Sequence, residues 1–230
     1  MNERHGFLRT RDGTFITIDP PGSYFTNALG INRRGEIVGR FCTGPVPAQG
    51  IPPCSGNPHH GFLHRAAAFT TIDFPSPPNL TTPPGMVRTD AWGINNRGEI
   101  VGVYQSTDGR SHVFRLREGQ FTTIDFPGAF DTAPDGTKGG INSRGDIVSY
   151  YCDAIACGTS SNDDQHGFLL SHGEFTTTMN FPAITFGTPG GHDTANFGIN
   201  ARGDIVGMFD DANGTHGFLL RLEERDEDED

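Results

Sequence analysis

Lysine, tryptophan and long apolar runs are scarce or missing in this sequence. Only 17 of the 230 residues are Lys or Arg, against 28 Asp or Glu, and the one lysine is Lys138. Nucleic-acid binding is disfavoured, because it depends on a basic surface. No apolar run reaches the roughly 18 residues that a membrane span needs. The N-terminus, Met1 to Arg4, lacks the apolar core of a signal peptide, so the protein is either cytoplasmic or has lost a leader.

Composition and charge predict one folded domain with an acidic tail. The 32 Gly and 16 Pro fall short of low complexity, and 18 Phe provide apolar side chains for a core. The net charge is −11, and residues 223–230 carry −6 of it through seven acids and one arginine. Such a block of like charges repels itself. We therefore expect a single domain over residues 1–222 and a disordered tail over residues 223–230.

Internal repeats predict the fold. A Gly-Ile-Asn motif occurs four times, and each copy precedes a turn and an apolar strand, as in INRRGEIVG. A His-Gly-Phe-Leu motif, or a variant of it, begins at five positions 50 to 55 residues apart: His5, His60, His112, His166 and His216. A third motif, FTTIDFP, follows it. A period near 50 in β-rich units is typical of propellers and β arrays.

Each repeat is predicted to form four antiparallel strands. Strand A ends in Gly-Ile-Asn, strand B is EIVG with an aromatic residue, strand C is HGFL and strand D is FTTID. The short A–B and C–D links contain Gly, which tight hairpins require. We therefore expect an all-β propeller of four four-stranded blades. The chain starts with strands C and D and ends with A, B and C, so pairing of the N- and C-terminal strands would close the ring and leave one HGFL copy over.

The cycle of HGFL, TIDFPG and GIN-x-RG-(E/D)-IVG resembles the bacterial extracellular repeats of the HAF family, named after a short His-Ala-Phe-type motif. The resemblance covers nearly the whole chain except the acidic tail, although HGF or HVF stands here where the family name has alanine. It implies an extracellular repeat protein. The family brings no settled activity and no catalytic residues, so function has to be argued from the residues themselves.

The long links of the repeat predict where a ligand binds. The B–C loops and the D-to-A crossovers differ in length and sequence in every repeat, and in a meander propeller they share one face, here called the loop face. Binding residues concentrate on variable loops held by a rigid scaffold. We expect a site on the loop face near the propeller axis.

All four cysteines lie in or beside the B–C loops. Cys42 and Cys152 each follow the aromatic residue of strand B, and Cys54 and Cys157 lie further along the same two loops. The expected disulfides are Cys42–Cys54 and Cys152–Cys157, and disulfides favour secretion. A zinc site of four thiolates is the alternative, but the spacings C-x11-C and C-x4-C fit zinc motifs poorly.

Deviations from the repeat supply the candidate ligand residues. Lys138 replaces a small residue two positions before the glycine of strand A, and Trp92 lies one position before that glycine. An ammonium offers a partner for a carboxylate, and an indole offers a flat face for a sugar ring; a solvated lysine and a core tryptophan are the alternatives. The remaining candidates on the loop face are Arg88, Asp90, Asp131, Tyr150 and His192.

The repeated polar residues are predicted to serve the scaffold. We expect the HGFL histidines to make hydrogen bonds and the aspartates of TID to cap turns. The turn arginines and the acids two residues later, such as Arg97 and Glu99, are expected to form solvated pairs that add little stability.

Three functions stay open at this point. The first is a secreted propeller that binds a carbohydrate or another small polar or anionic ligand. The second is a lyase or hydrolase at the same face, with His192 or Tyr150 as general base and Lys138 or Arg88 stabilising negative charge. The third is a protein-interaction scaffold.

The sequence indicates no cofactor and leaves the oligomeric state undetermined. A structural calcium or another ion held by backbone carbonyls in the central channel is one option, and the hard oxygen ligands of the segment from Asp210 to Gly214 also raise calcium as an option. The segment does not fit an EF-hand loop, and a hairpin turn explains it better.

Overall fold

The computed structural model describes residues 3–48, 54, 57, 59–75, 88–106, 108–133, 139–153, 165–179, 194–211 and 213–221. Within these ranges the regular elements are β-strands, and the ladders between them are antiparallel. No helix in the described part of the chain is long and apolar enough to cross a membrane. The acidic tail, residues 223–230, lies outside the described ranges.

Within the described ranges, eighteen strands form five sheets, which follow one another along the chain as a β-propeller. The N-terminal hairpin consists of β1 (Gly6–Arg9) and β2 (Phe15–Ile18). Blade 1 consists of β3 (Phe25–Ile31), β4 (Ile37–Cys42), β5 (His59–Arg65) and β6 (Ala68–Ile72). Blade 2 consists of β7 (Thr89–Ile94), β8 (Ile100–Gln105), β9 (Ser111–Arg117) and β10 (Gln120–Ile124).

In the part of the chain that the structure describes, blades 3 and 4 depart from the four-stranded pattern. Blade 3 has its first strand split into β11 (Asp131–Thr132) and β12 (Gly140–Ile141), followed by β13 (Ile147–Cys152), β14 (Gln165–Ser171) and β15 (Glu174–Met179). Blade 4 consists of β16 (Thr194–Ile199), β17 (Ile205–Asp211) and β18 (Gly214–Leu220). Strands β17 and β18 form a tight hairpin in which Asp211 pairs with Gly214, so the turn predicted for this acidic segment is confirmed.

The four-bladed propeller is confirmed, but the predicted pairing of the N- and C-terminal strands does not occur among the described residues. Strands β1 and β2 pair only with each other, and β18 pairs with β17. The predicted partner of β18 is the N-terminal strand D, which is β2, and β2 pairs with β1 in the N-terminal hairpin instead. The N-terminal hairpin instead packs against blade 1, where buried Ile18 joins a core cluster with Ile37 and Phe62.

A bulge in the first strand of a blade directs one side chain toward the next blade. The register shifts between Ala28 and Gly30, between Ala91 and Gly93, and between Asn196 and Gly198. In blade 2 the bulged residue is Trp92, whose indole packs against Gly139 of blade 3. A bulge of this kind re-aims a side chain without ending the ladder.

The glycine of the IVG motif lets the first two strands of a blade approach closely. A Cβ atom on Gly102 would lie 2.0 Å from the carbonyl oxygen of Asp90 and 2.7 Å from the ring of Phe114. Gly39 and Gly207 are similarly crowded in blades 1 and 4. Blade 3 has Ser149 at this position, so a Cβ atom is accommodated there.

Replacing Gly102 by alanine is therefore expected to lower the free energy of unfolding by about 2 kcal/mol or more, because a buried clash with backbone forces a shift of the strands. Urea unfolding followed by circular dichroism measures the change. The matched control is Ser149→Ala, which keeps a Cβ where one is already accommodated. Equal losses for both variants would contradict the close-approach explanation.

The A–B turns form a hydrogen-bonded belt on the face opposite the loop face. The Asn32 side chain donates to the Asn95 carbonyl of the next blade at 3.1 Å, and Asn95 donates in the same way to Asn142. The Arg144 guanidinium continues the belt by donating to the Ala201 carbonyl at 2.7 Å. The GIN asparagine thus links neighbouring blades.

The prediction that the turn arginines and acids form solvated pairs is wrong for the acids. The side chains of Glu36, Glu99 and Asp146 are buried, while their arginine partners stay about half exposed. Glu99 accepts hydrogen bonds from Arg97, Asn95 and Arg115 at 2.5 to 2.6 Å. Burial alone would raise its pKa, but these donors lower the pKa from 4.5 to about 2.

Candidate functional site

The loop-face end of the junction between blades 1 and 2 gathers four ionisable side chains. Asp90, on the innermost strand β7, is fully buried. Around its carboxylate lie Arg40 of β4, His59 of β5 and Arg88, which directly precedes β7. We call these four residues the junction cluster. Its three nitrogen-bearing side chains come from two blades and retain 19 to 24% exposure.

The two arginines hold one oxygen of the Asp90 carboxylate. Arg40 donates an Nη1–H to Oδ2 at 3.1 Å, and Arg88 donates its Nε–H to the same oxygen at 3.4 Å. The guanidinium of Arg40 also lies over the ring of Phe25, 5.8 Å from its centroid. Although burial opposes ionisation, His59, Arg40 and Arg88 keep the pKa of Asp90 below its usual value.

The other oxygen of Asp90 has no hydrogen-bond partner among the described residues. His59 Nδ1 lies 3.7 Å from this Oδ1 atom, beyond hydrogen-bond distance, and Nδ1 is also buried without a partner there. Arg40 Nε is a third buried polar atom that has no hydrogen-bond partner among the described residues. Buried polar atoms are normally hydrogen-bonded, so the junction cluster has unused capacity for a polar group.

Of the predicted ligand residues, Arg88 and Asp90 come together in the junction cluster, while Arg40 and His59 were missed. Both missed residues break the repeat. Arg40 occupies the position after the IVG glycine where the other blades have Val103, Tyr150 and Met208, and His59 precedes the HGFL motif where they have Ser111, Gln165 and Thr215. Departures from the repeat on strands B and C, and not only on strand A, identify these two residues.

Asp131 lies at the corresponding place in the next junction. It precedes Thr132 as Arg88 precedes Thr89, and both threonines pair with the aromatic residue of strand B. Its carboxylate accepts a hydrogen bond from the Ser111 backbone N–H at 2.9 Å. Burial raises its pKa to about 6, against the opposing effects of Ser111, His112 and Arg110.

Trp92 and Tyr150 lie in the core between blades 2 and 3. Their exposures are 5% and 0%, and both belong to one apolar cluster with Val103, Ala133 and Ile141. The indole therefore takes the alternative role of filling the core. A ligand would reach either ring only after the blades moved apart.

Lys138, His192 and Cys157 lie outside the described residues, so their predicted roles stay predictions. Cys42 and Cys54 form the expected disulfide, with their Cα atoms 5.7 Å apart. Cys152 is also disulfide-bonded. The Cys42–Cys54 bond is buried beside His59, so it fixes the B–C loop of blade 1 against the junction cluster.

Three of the HGFL histidines pair with the TID aspartates of their own sheets, whereas His166 lies 3.4 Å from Asp153. The Nδ1 atoms of His5, His60 and His112 lie 2.6 to 2.9 Å from carboxylate oxygens of Asp19, Asp73 and Asp125. Asp125 raises the pKa of His112 above its usual value. The predicted scaffold hydrogen bond is confirmed, and its acceptor is the TID aspartate across strands C and D.

A groove of about 620 Å³ separates the outer strands of blades 2 and 3. Arg117, Gln120 and Asp125 provide polar groups along one side, and Leu170 and Phe175 provide an apolar side. A small ligand would fit this volume. A ligand in this groove is the alternative against which binding at the junction cluster has to be tested.

No protein-family model and no curated protein sequence matches this chain. Solved structures of a lectin from Aleuria aurantia do match it. The lectin in complex with α-methyl-L-fucoside is 14% identical with a TM-score of 0.51, and the alignment covers 97% of this chain and 68% of that one. A structure of the lectin in complex with Fucα1-6GlcNAc gives 13% identity, a TM-score of 0.51 and coverages of 97% and 69%.

A third structure of the same lectin describes a six-bladed β-propeller fold and a fucose recognition mode, with 13% identity, a TM-score of 0.50 and coverages of 95% and 66%. This chain thus spans about two thirds of the length of the six-bladed lectin. Identity at this level shows the fold alone: the chain is a β-propeller that is similar to propellers of lectins.

Proposed function

We propose that the protein is a secreted β-propeller of the HAF repeat type that binds a carbohydrate or another small polar or anionic ligand at the junction cluster. The observation that carries the proposal is the buried Asp90 carboxylate, whose Oδ1 atom has no hydrogen-bond partner among the described residues. The similarity in fold to lectins that bind fucosides supports the carbohydrate class, and the disulfides support secretion.

The chemistry of the junction cluster suits a hydroxylated ligand. A sugar hydroxyl both donates and accepts. Because Asp90 is buried, the hydroxyl has to enter between the partly exposed side chains of Arg40, His59 and Arg88, where it can donate to Asp90 Oδ1 and accept from a guanidinium. Two arginines beside one carboxylate also leave an excess of positive charge. A ligand carboxylate, as in a uronate, would pair with the exposed edges of these guanidinium groups.

The test is isothermal titration calorimetry with L-fucose, a methyl fucoside and a galacturonate, after a glycan array has identified which class binds. We expect Asp90→Asn and Arg88→Gln each to weaken binding at least tenfold, because each removes a charge-assisted hydrogen bond worth about 1.4 kcal/mol or more. Gln120→Ala, in the groove between blades 2 and 3, is the matched control and should leave the affinity unchanged.

Two results would overturn the proposal. The first is an array and calorimetry that detect no binding to the folded protein. The second is an affinity that falls in Gln120→Ala and is unchanged in Asp90→Asn, which would move the ligand to the groove. Circular dichroism of each variant confirms that the propeller is intact.

A further inference from the structure

The outer strands of neighbouring sheets pack on each other by a repeated apolar contact. The forward side of a sheet, which faces the next blade, contributes a leucine and an isoleucine, and the rear side of the next blade contributes two phenylalanines. Between blades 1 and 2 these residues are Leu63, Ile72, Phe114 and Phe121. Between the N-terminal hairpin and blade 1 they are Leu8, Ile18, Phe62 and Phe69. One pattern therefore serves both contacts.

The forward side of blade 4 is open. Leu219 on β18, the counterpart of Leu63, is 53% exposed, and its cross-strand partner Val206 is 47% exposed. The counterparts of Val206 in the other blades are fully buried, namely Val38, Val101 and Val148. Val38 lies in the same apolar cluster as Phe114 of the next blade. Blade 4 thus presents the aliphatic half of the repeated contact to solvent.

The glycine of the HGFL motif gives the same result independently. A Cβ atom on Gly61 of blade 1 would lie 3.5 Å from the Cβ atom of Ala91 in blade 2, and one on Gly167 of blade 3 would lie 2.7 Å from the Asn196 side chain in blade 4. Among the described residues, a Cβ atom on Gly217 would meet only the Gly207 carbonyl of its own blade, at 3.9 Å. The forward side of β18 is therefore accessible.

The rear side of the N-terminal hairpin is open in the same way. Phe7 on β1 and Phe15 on β2 are 63% and 64% exposed, and their ring centroids lie 5.5 Å apart. The equivalent rings of blade 2, Phe114 and Phe121, lie 5.3 Å apart and pack against blade 1. The hairpin thus presents the aromatic half of the repeated contact, already in the geometry that the buried pair adopts.

We propose that these two open sides bind each other between copies of this chain, with Val206 and Leu219 of one copy packed against Phe7 and Phe15 of the next. The occupant is a second copy because the chain carries both halves of a contact that it already makes internally. Within one chain the two halves stay apart, since all four side chains are about half exposed or more. The inference does not depend on the proposed carbohydrate function.

Unlike surfaces meet in this contact, so the association is heterologous. Such a contact joins copies head to tail, and it produces a ring if the rotation closes and a filament if it does not. Each copy has a net charge of −11, so copies repel one another. Because the contact is apolar, association should strengthen as added salt screens this repulsion, whereas a contact made by ion pairs would weaken.

The first experiment is sedimentation velocity of the full chain over a series of protein and salt concentrations. We expect the weight-average sedimentation coefficient to rise with both. Leu219→Glu and Phe7→Glu should each weaken association at least about tenfold, because the contact would bury an unpaired carboxylate. Val46→Glu is the matched control, since Val46 is an exposed apolar residue in the B–C loop of blade 1, away from both open sides.

Mixing the two variants tests which surfaces meet. Leu219→Glu keeps the phenylalanine pair and Phe7→Glu keeps the forward side of blade 4, so an equimolar mixture retains one intact contact. It should form a dimer with one copy of each variant, while each variant alone stays monomeric. The proposal is overturned if the parent is monomeric at every concentration, if Leu219→Glu and Phe7→Glu associate as strongly as Val46→Glu, or if their mixture stays monomeric. Circular dichroism of each variant confirms that the propeller is intact before these results are compared.

Discussion

Replacing Glu99 by glutamine is expected to lower the free energy of unfolding at pH 7 by about 3 kcal/mol. Glu99 is buried and accepts hydrogen bonds from two arginines and Asn95. Its pKa is lowered from 4.5 to about 2, and a shift of that size corresponds to about 3 kcal/mol between the charged and neutral forms. Glutamine has the shape of the neutral acid, so it loses that contribution.

The same lowered pKa predicts how the effect depends on pH. The folded state binds fewer protons than the unfolded state between pH 4.5 and 2, so this contribution is complete above pH 4.5 and is lost as the pH falls toward 2. The difference between parent and Glu99→Gln should therefore shrink steadily over that range in urea titrations. Glu118→Gln is the control, because Glu118 is exposed in the same blade. A Glu99→Gln variant as stable as the control would show that the buried acid contributes nothing.

Replacing both Cys42 and Cys54 by alanine is expected to cost about 3 kcal/mol of stability under oxidising conditions, because the bond closes a loop with a sequence separation of 12. The loss should appear as a lower urea midpoint with little change in slope. Adding a reductant to the parent should cause at least this loss, because it also reduces the disulfide of Cys152. A parent protein that keeps its midpoint on reduction would mean that the loop is held by its other contacts alone.

Such contacts are visible in the structure. Asn57 donates to the Tyr24 hydroxyl at 2.8 Å and to the Pro45 carbonyl at 2.9 Å, so the loop carries polar anchors besides its disulfide. An Asn57→Ala variant combined with the cysteine changes would separate the two contributions.

The strands were predictable because the repeat keeps its hydrophobic pattern in phase with the β period. The turn glycines and the IVG glycine carry the same signal, since only a residue without a side chain fits beside the Asp90 carbonyl at Gly102. The sequence identified the HGFL histidine and the TID aspartate as scaffold residues, but not the contact between them. Both residues recur in every early repeat, but their contact depends on the register of strands C and D, which the sequence does not state.

The junction cluster was only partly predictable for a different reason. Asp90 and Arg88 stand out within strand A, but their partners Arg40 and His59 lie on strands B and C of the preceding blade. Which side chains meet across a junction depends on how neighbouring blades pack. Trp92 shows the same limit, because the bulge before Gly93 turns its indole into the core between blades 2 and 3.

The belt of side-chain hydrogen bonds between the A–B turns has a consequence for how the propeller opens. Each link runs from one blade to the carbonyl of the next, so the turns of blades 1, 2 and 3 are each tied forward to a neighbour. In blade 4 the corresponding Asn200 is exposed and bonds Asp204 within its own turn. Nearest-neighbour coupling of this kind gives a gradient of local opening. Backbone amides in the turn after β16 should exchange with solvent deuterium before those after β3 and β7, and loss of protection should then travel back along the chain toward blade 1.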